Sequence, residues 1–296
     1  MQPMFDLIYR FDPTQPATDA MPKTWEEACR ILVQGNREFA EMTDARRAGN
    51  HQAVHVVPFD PRTLEWGDAG EVRLAQAPFA AVLGCSDARV PPELVFGKGY
   101  NELFVVRVAG NVLGQECLGS LRYAVTHFSR TLKLLVVLAH GRCGAVSEAV
   151  DVYLDPRRYL EIATEYSIRS IEDQILVAVR VAAMSMEAVH GVEITREPGC
   201  RRALLEASVV LNAAWSAYCL RQEFRSKFPE LGVVFGAYDL VTRHVRLPLS
   251  PSGELTEEEK GLFAPPESVE EFRQLARRIC AGKLVESLLG EGHQAA

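Results

Sequence analysis

The sequence predicts an α/β fold: a central, mostly parallel β-sheet flanked by helices, with an antiparallel edge strand and a helical C-terminal extension. Three observations predict it. Short β-branched runs recur at FAAVLG (79–84), LFVVRV (103–108) and LLVVLA (134–139). Runs without polar alternation suit strands buried on both faces. Helical spacing fills the intervals between them, the alternation expected of a parallel sheet. A fourth run, LGVVFGAYDL (231–240), is followed across a turn at Val241–Arg243 by HVRLPL (244–249), which reads as its short antiparallel partner.

Residues 1–22 carry four prolines and little periodicity, so they read as an arm and not as a packed element. Thr24 with Glu27 makes a capping-box signal, and Trp25–Glu41 then places Ala28, Ile31, Leu32 and Phe39 at helical spacing. Residues 42–74 are polar and interrupted by Pro58, Pro61, Gly67 and Gly70, which predicts a long irregular connection. The first strand ends in the turn-rich CSDARVPPELVFG and the second in AGN (109–111). Residues 115–128 fit a helix with Leu118, Leu121 and Val125 on one face. The third strand ends in HGRCG, and Gly144–Val152 begins another helix. Residues 155–230 are mostly helical, with Ile168–Val189 and Leu204–Phe228 separated by a break at Pro198–Gly199. Ser250–Pro266 reads as a linker. Glu267–Leu289 reads as an amphipathic helix or helix pair, with Ser268 as an N-cap. The expected organisation is an arm at 1–22, a main domain at 23–249, and a linker with a helical extension at 250–296.

The 296 residues, 48% hydrophobic and 24% charged, are enough for a sizeable core. A net charge of −7 argues against a nucleic-acid binder, which shows a basic face. No apolar run reaches the roughly 18 residues of a membrane span. The first residues lack a basic segment followed by an apolar one, so no secretory signal is expected, and the cytoplasm is the expected compartment. Seven cysteines, an odd number spread over a long chain, do not form a disulfide framework. They are buried hydrophobes or ligands.

Cys85 directly follows the first strand. His140 directly follows the third, with Cys143 three residues later. Functional groups of an open parallel sheet collect beyond the carboxyl ends of its strands, so these three share one edge. Two thiolates and an imidazole suit a tetrahedral zinc with one position left open. An isolated His-x-x-Cys, or one cysteine closing a strand, also fits a packed core. Cys29, Cys117, Cys200, Cys219 and Cys280 have no His or Cys neighbour at ligand spacing and read as structural.

The stretches CSDARVPPELVF (85–96), LFVVRVAGN (103–111), GSLRYAV (119–125) and LAHGRCGAV (138–146) resemble, in order and spacing, the β-carbonic anhydrases. Weaker similarity at 31–41 and 233–247 extends the resemblance to roughly 25–248. The pairing of C-S-D-x-R with H-x-x-C-G is far more specific than either half. The resemblance implies Zn2+ held by Cys85, His140 and Cys143, with Asp87 and Arg89 as the family's dyad. It implies Gln76, Phe104, Tyr123 and Gly144 as substrate-pocket positions. It implies reversible hydration of CO2 to bicarbonate by hydroxide on zinc, which Asp87 orients while Arg89 keeps Asp87 ionised. In some family members the matching Asp becomes a fourth ligand. A dimer or higher homo-oligomer is implied too, with the helix at 25–41 against the partner.

Two features depart from the family pattern. Arg122 stands where an acidic residue is usual, and 250–296 goes beyond the usual end. Two other readings stay open: hydrolysis of carbon disulfide or carbonyl sulfide by the same chemistry, and an idle zinc-bearing binding protein. The intact Asp87–Arg89 pair speaks against the second.

Overall fold

The computed structural model describes residues 4–12, 14, 21–47, 52–64, 75–248 and 259–291. Strand β1 (Met4–Arg10) is followed by helix α1 (Trp25–Arg47), strand β2 (Gln52–Pro58) and a 3₁₀ turn at Pro61–Leu64. The sheet region then runs β3 (Ala80–Gly84), α2 (Pro92–Val95), β4 (Leu103–Arg107), α3 (Gln115–His127), β5 (Leu134–His140) and α4 (Gly144–Leu154). Next come α5 (Arg158–Ile162), α6 (Tyr166–His190), α7 (Cys200–Phe224), β6 (Gly232–Tyr238), β7 (Val245–Arg246), α8 (Val269–Cys280) and α9 (Lys283–Glu291).

The main sheet has the order β4-β3-β5-β6-β7, parallel except for β7 against β6. Every residue of β3, β5 and β6 is buried, as their unbroken apolar runs require. Edge strand β4 is half-buried. From β3 the chain steps to β4 on one side, then returns to β5 on the other. The order in which strands are added therefore reverses between β3 and β5, which opens a crevice beyond their carboxyl ends. Cys85 and His140 come from those two ends.

The two faces of the sheet bury separate cores. Odd positions of β3 and β5 (Ala81, Leu83, Leu135, Val137) pack against α3, α4, α6 and α7. Even positions (Ala80, Val82, Leu134, Val136) pack against α1 and the α2 segment. Helix α7 is long and apolar enough to pass for a membrane span by composition, yet most of it is buried as the central core helix. Two of its buried polar residues tie a loop: Asn212 Nδ2 donates to Gly110 O at 2.7 Å and Ser216 Oγ donates to Asn111 O at 3.5 Å.

The capping signals act as read. Glu27 N donates to Thr24 Oγ1 at 3.3 Å, and Glu27 Oε2 reaches back to Lys23 N at 2.7 Å. Ser268 Oγ accepts from Glu271 N at 3.1 Å, and the C-terminal extension is a helix pair packed on α6 and α7.

Three expectations are corrected. The arm reading fails over residues 4–10, which form β1 and pair in parallel with β2. Its prolines lie outside the strand, and Tyr9 is anchored by a stacked ring contact with Tyr100 at 5.2 Å. The connection at 42–74 is not irregular at its start: α1 continues to Arg47, and β2 occupies 52–58. The linker reading at 250–266 fails over its described part. Gly261 N donates to Val245 O, and Phe235 and Phe263 exchange both backbone bonds, so this stretch extends the sheet edge. Residues 250–258 lie outside the described residues.

Arg122, the departure on α3, pairs with Glu223 and lies over the Phe224 ring at 5.9 Å, so it fastens α3 to α7. Asn36 is the most demanding polar residue of α1. It is buried, donates to Val95 O at 3.0 Å and Arg243 O at 2.9 Å, and accepts from Val245 N at 2.7 Å. Asn36→Ala leaves those groups without their partner and should lower unfolding stability by about 3 kcal/mol, read from urea denaturation midpoints.

Candidate metal centre

Three loops converge at the carboxyl edge of the sheet. The first leaves β3 at Cys85. Asp87 O accepts from Val90 N at 3.0 Å, and Ser86 N donates to Val108 O at 3.2 Å, which closes the turn against the second loop. That second loop, Ala109–Asn111, needs a left-handed backbone at Gly110 (φ 65) and Asn111 (φ 46). A Cβ on Gly110 would meet Ile175 Cδ1 at 2.7 Å, so only glycine lets the loop approach α6 this closely. The third loop, Gly141–Cys143, leaves β5, and Cys143 is the residue before α4 begins.

Their donor atoms meet. Cys85 Sγ, Cys143 Sγ and one imidazole nitrogen of His140 all lie within 4.8 Å of one another, and all three residues are buried. The two sulfurs are 3.9 Å apart. This is the one such group of three His, Cys or acidic side chains among the described residues. His140 Nδ1 lies 3.0 Å from Gly141 O and so donates to it, which leaves the Nε2 lone pair facing inward. Nε2 is fully buried and has no hydrogen-bond partner. A buried, unpartnered imidazole nitrogen beside two sulfurs fits a tetrahedral metal of borderline softness.

The thiols are electrostatically unlike. Cys85 is pulled down to about 4, first by the hydrogen bond from Cys143, against burial, with smaller help from His140 and the Asp87 and Gly110 N–H groups. Cys143 is pushed up by the same bond and by burial. The pair therefore gives up one proton readily and holds the second between its sulfurs.

Asp87 and Arg89 form the dyad read from the sequence. Arg89 Nε donates to Asp87 Oδ1 at 2.9 Å, Arg89 Nη2 to Oδ2 at 2.6 Å, and the Arg89 backbone N–H to Oδ1 at 2.9 Å. The side-chain bonds from Arg89 hold the Asp87 carboxyl well below the usual carboxylate range. Asp87 Oδ2 lies 3.8 Å from His140 Nε2, so the carboxylate faces the donor cluster while committed to Arg89.

Other positions read from the sequence lie further off. Gly144 opens α4 with free space where a side chain would be, so small molecules can approach its backbone. Phe104 sits opposite Ala81, near the start of β4, and packs with Phe128. Tyr123 is half-exposed on α3, stacked on His127 and edge-on to Phe128. Gln76 is exposed and precedes β3, at the opposite end of that strand from Cys85. Within one chain it is not brought to the cluster. All seven cysteines are free, and burial raises the thiols of Cys29, Cys117, Cys200, Cys219 and Cys280. They are packed thiols.

Two residues of the site were missed from sequence. Arg107, the last residue of β4, donates from Nε to Cys85 O at 3.0 Å and from Nη2 to Asp87 O at 2.5 Å. A lone arginine closing an apolar strand beside two such loops was the available signal. Glu206 of α7 accepts from Arg142 N at 3.1 Å and so holds the third loop from behind. No sequence spacing links residues 64 positions apart.

Residues 80–213 match a protein-family profile described as carbonic anhydrase. Carbonic anhydrase 2 of Mycobacterium tuberculosis is 41% identical over 106 residues, 36% of this chain and 50% of the relative. A carbonic anhydrase of Mycolicibacterium smegmatis is 50% identical over 72 residues, 24% of this chain and 34% of the relative. The similarity to carbonic anhydrases thus covers residues 80–213 of the 296. It spans about half the length of the first of these relatives. Among solved structures, a Coccomyxa β-carbonic anhydrase in complex with acetazolamide aligns at 22% identity and TM-score 0.47, covering 73% of this chain and 83% of its own. The matched region starts at β3 and ends within α7, so it includes all three donors, the dyad and Arg107.

Arg107 is the support with the clearest separate test. Arg107→Met should leave the far-UV spectrum unchanged but weaken metal binding at this cluster about tenfold, because groups that orient metal ligands contribute on that scale. Competition with a chelator reads it.

Proposed function

We propose that the protein reversibly hydrates carbon dioxide to bicarbonate and a proton, with zinc held by Cys85, His140 and Cys143. The observation that carries this reading is one buried cluster of two sulfurs and an unpartnered imidazole nitrogen, faced by a carboxylate locked to an arginine. The match of residues 80–213 to a carbonic anhydrase profile supports it and points to carbon dioxide as the substrate.

Cys85, His140 and Cys143 would hold the zinc, which would supply Lewis acidity, the property that lowers the pKa of water from 15.7 toward about 7. The rest is done by the chain's own groups. Asp87 accepts a hydrogen bond from the attacking water or hydroxide and turns its remaining lone pair toward the carbon of CO2. Arg89 keeps Asp87 ionised and aimed through its fork. The new C–O bond gives bicarbonate, and the proton leaves to solvent. The open backbone at Gly144 suits a product oxygen. Two thiolate donors reduce the effective charge on the ion, which is why the oriented Asp87 matters more here than beside three neutral imidazoles.

Gln76, Phe104 and Tyr123 serve in this scheme through a second copy. Gln76 starts from the far end of β3, and Tyr123 with Phe128 and Phe104 forms an aromatic surface cluster. We assign them to a homodimer whose pockets are completed across the interface.

Stopped-flow CO2 hydration with zinc analysis tests the reading. Zinc near one per chain with hydration at pH 7–9 is expected; zinc without hydration overturns it, and hydrolysis of carbon disulfide in its place moves the assignment to that substrate. Asp87→Asn should keep the metal and lose most of kcat. Cys143→Ser should lose the metal. Because the Asp87 pKa is depressed, the dyad's contribution to stability is present above the ordinary carboxylate pKa and is lost as pH falls through the lower folded value. A fall in rate between pH 8 and pH 6 should therefore persist in Arg89→Lys, since Asp87 does not titrate there.

A further inference from the structure

Strands β1 and β2 form a sheet of two, apart from the main sheet. β2 is the inner strand: His55 lies against Gly97, and the Pro58 carbonyl lies against Gly99. β1 is the outer strand, and no strand among the described residues covers its other edge. Such an edge presents a row of N–H and C=O groups, a template for a further strand. Natural sheets blunt it with lysine or proline, yet Met4–Phe11 contains neither. Exposed apolar side chains stand there instead: Leu7, Tyr9 and Phe11, with Val54 and Val56 of β2. Two strands alone are marginally stable, and three or more are the usual remedy.

The strand carries its own register. Phe59 N donates to Arg10 O at 3.0 Å, so Arg10 turns its backbone groups toward β2. In a parallel ladder, alternate residues bond to the same neighbour and those between turn away. Asp6, Ile8 and Arg10 therefore bond toward β2, while Leu7 and Tyr9 present their N–H and C=O groups at the open edge. An antiparallel copy of β1 must then set odd residues opposite odd residues. Centred on Leu7, that pairing would put Asp6 opposite an isoleucine; centred on Tyr9, it would put Asp6 opposite Asp12. Centred on Ile8, it puts Asp6 opposite Arg10 of the partner subunit, and does so twice by symmetry. Within one chain Asp6 and Arg10 lie about 13 Å apart along the strand, too far to pair. Arg10 also acts on Asp12, whose carboxylate takes its hydrogen bonds from Thr14. Ile8 meets Ile8 of the partner subunit at the centre, and Val56, level with Ile8 on β2, widens the apolar stripe.

We infer that β1 is a self-complementary docking edge whose occupant is a second copy of this chain, joined antiparallel about Ile8 into a four-stranded sheet. The Leu7 and Tyr9 backbone groups supply the hydrogen bonds, and the two Asp6–Arg10 pairs fix the register. The same patch serves both copies, as a two-fold interface requires. It lies outside residues 80–213 and is a different surface from the aromatic cluster assigned to the pockets. The inference does not depend on the reaction at the metal centre.

Analytical ultracentrifugation of the full-length protein at micromolar concentration reads the assembly. Asp6→Arg sets like charges opposite each other and should halve the mass. A tetramer falls to a dimer if the pocket interface also holds, and a dimer to a monomer if it does not. Asp6→Arg combined with Arg10→Asp restores opposite charges and should restore the mass. Leu7→Pro removes an outward N–H, which an edge strand tolerates, and should halve the mass too. Under mild oxidation Ile8→Cys should cross-link two copies through residue 8, identified by mass spectrometry. Asp6→Cys should not cross-link to itself, because its two copies stand four residues out of register. A monomeric wild type, a mass unchanged by Asp6→Arg, a double swap that does not restore it, or no cross-link through residue 8 overturns the inference. If Leu7→Pro loses β1 altogether, the charge swap and the cross-link decide without it.

Discussion

A parallel sheet buried on both faces has to end its hydrogen-bond ladder somewhere, and the backbone groups left over at that edge must be tied to something. Here the edge beyond β3, β4 and β5 is tied by side chains from neighbouring elements. Arg107 takes the carbonyls of Cys85 and Asp87. Asn212 and Ser216 take those of Gly110 and Asn111. Glu206 takes the N–H of Arg142. Each tie satisfies a backbone group that burial would otherwise make costly, and each also fixes a loop bearing a donor or lying beside one. The metal centre follows from solving the edge problem with polar side chains that come from a rigid strand or a core helix.

That construction separates positioning from chemistry. The donors themselves are short side chains at loop starts, with little freedom once the loops are held. His140 is the clearest case. Its Nδ1 is committed to Gly141 O, so its tautomer and ring plane are set before a metal arrives. Asp87 is likewise committed on both oxygens to Arg89. Its Oδ2 stands 3.8 Å from His140 Nε2, so the engaged carboxylate faces the donor cluster.

What the sequence revealed follows the range of each signal. The buried strands were legible because each carries its apolar run in a handful of consecutive residues. The donors were legible because strand ends and loop residues are adjacent in sequence. Ser268 and Thr24 were legible as caps because capping acts over three residues. The losses share one cause. Strand β1 is half-exposed and paired with a strand more than forty residues away, so its pattern is weak and its partner invisible locally. Arg107 and Glu206 act on loops 20 and 64 residues distant. Gln76 was placed by resemblance to a pocket position, and only strand direction shows that it starts from the other end of β3.

Asn36 shows how the same distances bear on the making of the molecule. Its three bonds span 59, 207 and 209 residues and join the first long helix to the last residue of α2, to the β6–β7 turn and to the start of β7. Contacts of such separation demand that a large loop be closed before they return any stability, and chains rich in them fold slowly. The Asn36 junction can therefore close only after synthesis has reached β7. Until then the α1 face of the sheet is an exposed apolar surface, and the nascent chain depends on finishing its synthesis through β7 before that surface can be closed.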